Sequence, residues 1–223
     1  MVRVSQVSGE RGGRMKKGVK WMLVFVTIVV WSICLQADSP ITSTDFHEAY
    51  KDVPMVVKAA NSDGVLSREM AEFLSSDDNP LDHKAALINA LSWDIDGKDN
   101  ATKYIKFLMQ KYQGIKIDST TLEPFNADEI FCLGYLRAMD DYFDVLDALD
   151  ILYLAWEAND SSFTVSMIYA IVEAQDAMEY DWCEVWLLVE DVLLDETLVM
   201  DMRKEAVTII VDYMRLYEEE CGD

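Results

Sequence analysis

"YLRAMDDYFDVLDALDILYLAWEANDSSFTVSMIYAIVEAQDAMEYDWCEVWLLVEDVLLDETLVMDMRKEAVTIIVDYMRLYEEEC", residues 135–221, contains neither glycine nor proline. A β-protein of that length needs turn residues at intervals, whereas helices joined by short polar loops do not. The stretch predicts an all-α chain. Working outward from it, capping signals and apolar periodicity place about nine helices: 45–60, 66–75, 80–93, 100–113, 127–140, 142–158, 162–178, 182–194 and 198–219. Short connections make successive helices antiparallel hairpins.

The caps carry much of that placement. Asn79-Pro80-Leu81-Asp82 reads as an Asn N-cap, a proline at the first helical position and a carboxylate in the first turn. Asn126-Ala127-Asp128-Glu129 and Asp181-Trp182-Cys183-Glu184 read as capping boxes. Gln113-Gly114-Ile115 reads as a helix end with glycine in the left-handed position. The long loop 114–125, "GIKIDSTTLEPF", is a subdomain seam if the chain has one. A faint repeat places small residues four apart at Ala86/Ala90, Gly134/Ala138 and Ala170/Ala174, with spacings of 48 and 36 residues. Such pairs let a neighbouring helix come close and suit a short HEAT- or TPR-like α-solenoid.

The N-terminal 37 residues differ in kind. Arg3, Arg11, Arg14, Lys16, Lys17 and Lys20 precede the apolar run Trp21–Leu35, and polarity returns at Asp38-Ser39-Pro40. This reads as a secretory signal peptide cleaved after Ala37, with an uncleaved membrane anchor as the alternative. The apolar run is shorter than the roughly 20 residues a spanning helix needs. Met15 opens a compact signal by itself and is an alternative start. A lipid anchor at Cys34 fits poorly, because Ile33 stands where a small residue belongs. We expect residues 38–223 to form a single exported domain, in the bacterial periplasm or outside the cell.

Charge narrows the partners. The first 37 residues hold 6 of the 19 Lys and Arg and 1 of the 41 Asp and Glu. That leaves 13 against 40, a net charge of −27 over 186 residues. Such a surface repels phosphates and anionic lipid, so neither nucleic acid nor, after signal cleavage, membrane is an expected partner. A basic protein or peptide is. Hydrophobic residues make up 51% of the chain, enough for a packed core despite the charge. Cys132, Cys183 and Cys221 form an odd set, not a disulfide framework. One disulfide among them fits an oxidising compartment, and buried free thiols at Cys132 and Cys183 fit their apolar helical contexts at least as well, leaving Cys221 as a thiol that could pair with another chain.

Motifs for chemistry are sparse. "SWDIDGKDNATKY", residues 92–104, resembles a calcium loop, but Lys103 stands where a bidentate glutamate is required. It reads as a turn, with Asp99 or Asn100 capping the next helix. At 3.6 residues per turn Asp140, Asp144 and Asp147 lie along one stripe, with Asp150 turned further round the same side. They are weak candidates for a divalent cation and otherwise a solvated face. His47 opens "HEAYK", where Lys51 replaces the second histidine of a zinc motif, and His83 reads as a helix-end surface residue. There is no nucleophile elbow, phosphate loop or C-x-x-C pair. No cofactor and no catalytic residues are expected. Trp156, Trp182 and Trp186 are core if the helices pack around them, and binding-groove candidates if they face a concave surface. The reading is a non-catalytic scaffold or peptide-binding module. A helical carboxylate enzyme, a weak cation binder and a membrane-tethered structural subunit stand as alternatives.

Overall fold

Residues 39–118 and 121–222 are described by the computed structural model, so the expectations for the signal segment, Met15 and Cys34 lie outside it. Among the described residues the protein is all-helical, without a strand. A 3₁₀ turn, Phe46–Tyr50, precedes α1 (Pro54–Ala60), α2 (Arg68–Leu74), α3 (Leu81–Leu91), α4 (Asn100–Lys111) and α5 (Ala127–Asp140). Then come α6 (Leu146–Ala158), α7 (Phe163–Ala177), α8 (Trp182–Leu194) and α9 (Lys204–Met214), with a 3₁₀ segment Arg215–Cys221 at the end.

Two expected helices divide, each for a local reason. Pro54 starts α1 at its first position, and Val53 before it is extended at φ −93° and ψ 109°, which severs the 3₁₀ turn from the helix. The helix expected from 198 begins only at Lys204. Val199 instead bridges Ser162 in parallel: its amide donates to Ser161 O at 2.7 Å, and its carbonyl accepts from Phe163 at 3.1 Å. Two residues on, the Asp201 carboxylate accepts from Ser162 Oγ (2.6 Å) and the Thr164 amide (2.7 Å). The acid therefore anchors the start of α7 from 37 residues away.

The Asn126/Glu129 box forms as expected, its two bonds measuring 2.8 and 3.1 Å. Asp181 accepts the Cys183 and Glu184 amides but lacks the reciprocal Glu184 bond, so it is a simple cap and not the expected box, and Gly114 takes φ +87°. Asn79 does otherwise: α3 starts after Pro80, and Asn79 Nδ2 donates to Phe73 O at 2.8 Å, closing the end of α2.

The helix pairs α5/α6, α6/α7 and α7/α8 pack as hairpins, compatible with a stacked-hairpin or short solenoid arrangement. All six small repeat residues are buried. At Gly134 a Cβ would lie 2.8 Å from Leu152 Cγ and 3.1 Å from Ile151 Cγ2, so α6 seats directly on the glycine. The chain also closes on itself. Arg203, before α9, stacks 4.5 Å over the Tyr50 ring, donates to Ala49 O and to Asp52, and bonds His83 Nε2 at 3.2 Å. Tyr50 in turn donates to Asp82 at 2.9 Å, so His83 joins a network linking both ends of the fold.

Buried charges tie α3, α4 and α5. Lys84, fully buried, bonds Asp128 at 2.6 Å, and buried Glu129 receives Lys111 (2.7 Å) and Tyr112 (2.8 Å). Such pairs hold because each charge is matched and hydrogen-bonded.

Candidate binding surface

On α6 the buried row is Ala148, Leu152 and Ala155, at helical spacing. Another side of the helix is open: Leu146 and Tyr153 are exposed, and Trp156 is 36% exposed. Most of α7 is buried, and its half-buried residues include Tyr169, Glu173 and Asp176, which share one side by their i, i+4, i+7 spacing. The turn Asn159–Ser162 brings the end of α6 beside the start of α7. Trp156 stacks on Tyr169 with ring centres 6.2 Å apart and planes 24° apart, and Tyr153 lies 6.0 Å from Trp156 on its own helix.

Each tyrosine has a carboxylate one turn ahead. Tyr153 donates to Glu157 at 3.0 Å, and Glu173 stands near the Tyr169 hydroxyl. Burial raises the Glu173 carboxyl above the ordinary range; the Tyr169 hydroxyl opposes this, and Glu184 and Asp176 add to it. Burial and the Glu173 charge push the Tyr169 hydroxyl up to about 12. The surface is therefore an aromatic strip carrying two acids, one anchored by Tyr153 and the other poorly solvated.

The stretch of chain that carries it supplies no cation of its own. From Ala138 to Met202 the chain holds 17 Asp and Glu and no Lys, Arg or His. Helices α6, α7 and α8 all fall inside this stretch. Among the described ion pairs, Arg137–Asp147 at 3.3 Å is the one that reaches it. A window count of charge along the sequence would have found this block; net charge alone conceals it. The repeated Tyr-x-x-x-Glu of "YLAWE" and "YAIVE" was also legible as two pairs at helical spacing.

The three tryptophans do not form one cluster. Trp182 is 51% exposed and meets Tyr217 edge-on at 5.9 Å, while Trp186 is buried beneath Arg215, whose guanidinium lies 5.9 Å from its ring. Both pack toward the C-terminal 3₁₀ segment, whereas Trp156 packs toward α7. Asp140, Asp144 and Asp147 fail to share a stripe, because α5 ends at Asp140 and α6 starts at Leu146. Asp140 is buried, not solvated: its Oδ2 accepts the Ala101 amide at 2.7 Å. Asp144 stands exposed in the turn, and Asp147 pairs with Arg137.

"SWDIDGKDNATKY" is the connection between α3 and α4. Gly97 takes φ +76°, and Lys98 closes α3 by donating to Leu91 O (2.6 Å) and Ser92 O (2.8 Å). Neither expected cap operates. Asp99 makes no cap bond, and buried Asn100 joins Leu66 N to Gly64 O; Asp140 caps α4 instead. Among the described residues no three His, Cys, Asp or Glu side chains converge as metal ligands.

Cys132 is buried and free, as expected, with burial pushing its thiol up. Cys183 and Cys221 are neither a free thiol nor an interchain partner. They form a disulfide across 38 residues, which fastens the C-terminal segment to the start of α8. The Asp181 cap fixes Cys183, and the 3₁₀ segment turns Cys221 back onto it.

Comparison with protein-family models, with curated proteins and with solved structures finds no match to this chain.

Proposed function

We propose that this is an exported, non-catalytic binding protein whose α6–α8 surface holds a basic protein or peptide. The observation that carries the reading is the 65-residue block free of cations, folded into three adjacent helices with tyrosine and tryptophan rings among its acids. Solubility needs charge, but it does not need three successive helices without a cation. A carboxylate surface of that kind attracts cations over a distance and favours basic partners on approach. Exposed rings supply contact area that charge alone does not.

The Cys183–Cys221 bond supports export. Structural disulfides persist in oxidising compartments such as the periplasm and are rare in the cytosol. The basic head and short apolar run at the N-terminus fit the same route.

The test is a comparison of native protein with a variant carrying Asp150→Asn, Glu157→Gln, Glu173→Gln and Glu184→Gln. Each would be used to capture partners from the cell envelope of its own source. The proposal expects a basic polypeptide retained by the native protein at low salt, released at high salt and lost in the variant. Equal capture by both, or retention of acidic partners alone, contradicts it.

A further inference from the structure

We propose that the cavity between the α3–α4 connection and the end of α5 binds a small organic cation, with an ammonium group seated against Asp140 and Tyr142. This stands apart from the reading of the α6–α8 surface, and either can fail without the other.

The cavity measures about 370 Å³, within the range of small-molecule sites. One wall is the turn Asp94–Lys98, and the other runs from Arg137 to Phe143. Hydrogen bonds fix the turn in place. The Gly97 amide donates to Asp94 O at 2.9 Å, and the Lys98 amide donates to Asp140 O at 2.9 Å. A Cβ at Gly97 would lie 3.1 Å from that same Asp140 carbonyl, so the two walls meet closely there. On the second wall the Tyr142 ring is held edge-on by Trp93 at 5.0 Å. The site is therefore formed before any ligand arrives.

Two groups of the second wall are incomplete. Asp140 is 4% exposed and Tyr142 is 2% exposed, and both line the cavity. Asp140 Oδ2 accepts the Ala101 amide, but Oδ1 has no hydrogen-bond partner, and neither has the Tyr142 hydroxyl. Buried polar atoms are ordinarily paired, and leaving them unpaired costs free energy. Asp140 Oδ1 needs a donor, and a tyrosine oxygen accepts as well as donates. An ammonium carries three donors and no acceptor, so one such group meets both needs.

The surrounding charge selects the same class. Asp94, Asp96 and Asp141 also line the cavity and are exposed, which sets four carboxylates against two basic side chains. Both basic groups are already committed. Lys98 Nζ donates to Leu91 O and Ser92 O, and Arg137 pairs with Asp147. Ile95 and Phe143 are exposed and add apolar area for a short carbon chain. A bare metal ion fits less well, since no three ligating side chains converge among the described residues.

The experiment is calorimetric titration of the purified chain with 1,4-diaminobutane and with 4-aminobutanoate, which has a carboxylate in place of the second ammonium. Physiological salt screens diffuse attraction to the acidic surface. The diamine is expected to bind one to one, and 4-aminobutanoate more weakly, because its carboxylate meets the acidic rim. Asp140→Asn, which keeps the acceptor for the Ala101 amide, should weaken the diamine about tenfold or more. Tyr142→Phe, which removes the hydroxyl alone, should weaken it about threefold to tenfold. Melting curves recorded on both variants establish that they fold. No saturable binding of the diamine overturns the proposal. So does diamine binding that either variant leaves intact, or 4-aminobutanoate binding as tightly as the diamine.

Discussion

Asp140, the last residue of α5, accepts the Ala101 amide at 2.7 Å and so caps α4 from 39 residues away. Its backbone carbonyl also receives Lys98 N at 2.9 Å. One residue thus fixes the start of α4 and the turn before it. Asp140→Ala should cost about 2 kcal/mol on chemical denaturation, because a cap is lost and a buried amide is left unpaired. Asp140→Asn, which keeps the acceptor and removes a buried charge, should cost less than about 1 kcal/mol. Equal losses from both would show that the carboxylate's charge, not its acceptor oxygen, holds the turn.

Reducing the Cys183–Cys221 bond should destabilise the fold. Closing a 38-residue interval restricts the unfolded chain by roughly 4 kcal/mol in the chain-entropy picture, and measured effects commonly reach 2–4 kcal/mol. A melting curve with and without reductant checks this, with Cys183→Ser as the covalent control. An unchanged curve would mean the tail is held by Tyr217 and its neighbours alone.

Gly134 lets α6 lie against α5, where a Cβ would sit 2.8 Å from Leu152 Cγ. Gly134→Val should cost about 2–3 kcal/mol by overpacking. Gly134→Val combined with Leu152→Ala should recover part of the loss, and a strictly additive double mutant would argue against the contact.

Glu173 supplies a pH prediction. Its folded carboxyl is raised, so between the ordinary glutamate range and that raised value the folded state binds more protons than the unfolded state. The group penalises folding at neutral pH, and the penalty fades as pH falls through its raised value. Glu173→Gln should therefore be more stable than the native protein at pH 7, by a margin kept small by its partial exposure. The gain should vanish near pH 4. A destabilised variant at pH 7 would show that the charge is compensated within the fold.

How far the sequence reaches follows from which signals are local. Asn126, Asp181 and Gly114 act on their own helices, and each cap forms where its neighbours predict. Asp140 and Asp201 cap helices distant in sequence, and nothing within either helix announces that. Asn79 has the composition of a cap, yet its amide serves the helix behind it. The same division holds at the surface. Trp156 was a candidate by residue type, but its partner Tyr169 depends on the α6–α7 turn, as the separation from Trp182 and Trp186 depends on where the tail packs. The Cys183–Cys221 pair is equally a product of the tail's return.

The measurement that bears most directly on the binding surface is hydrogen exchange on the purified chain, with and without a saturating arginine-rich polypeptide. The account predicts added protection concentrated in Leu146–Leu194, weakening as salt rises, with α1–α4 unchanged. Protection confined to α1–α4, or none anywhere while the polypeptide is bound, would contradict it.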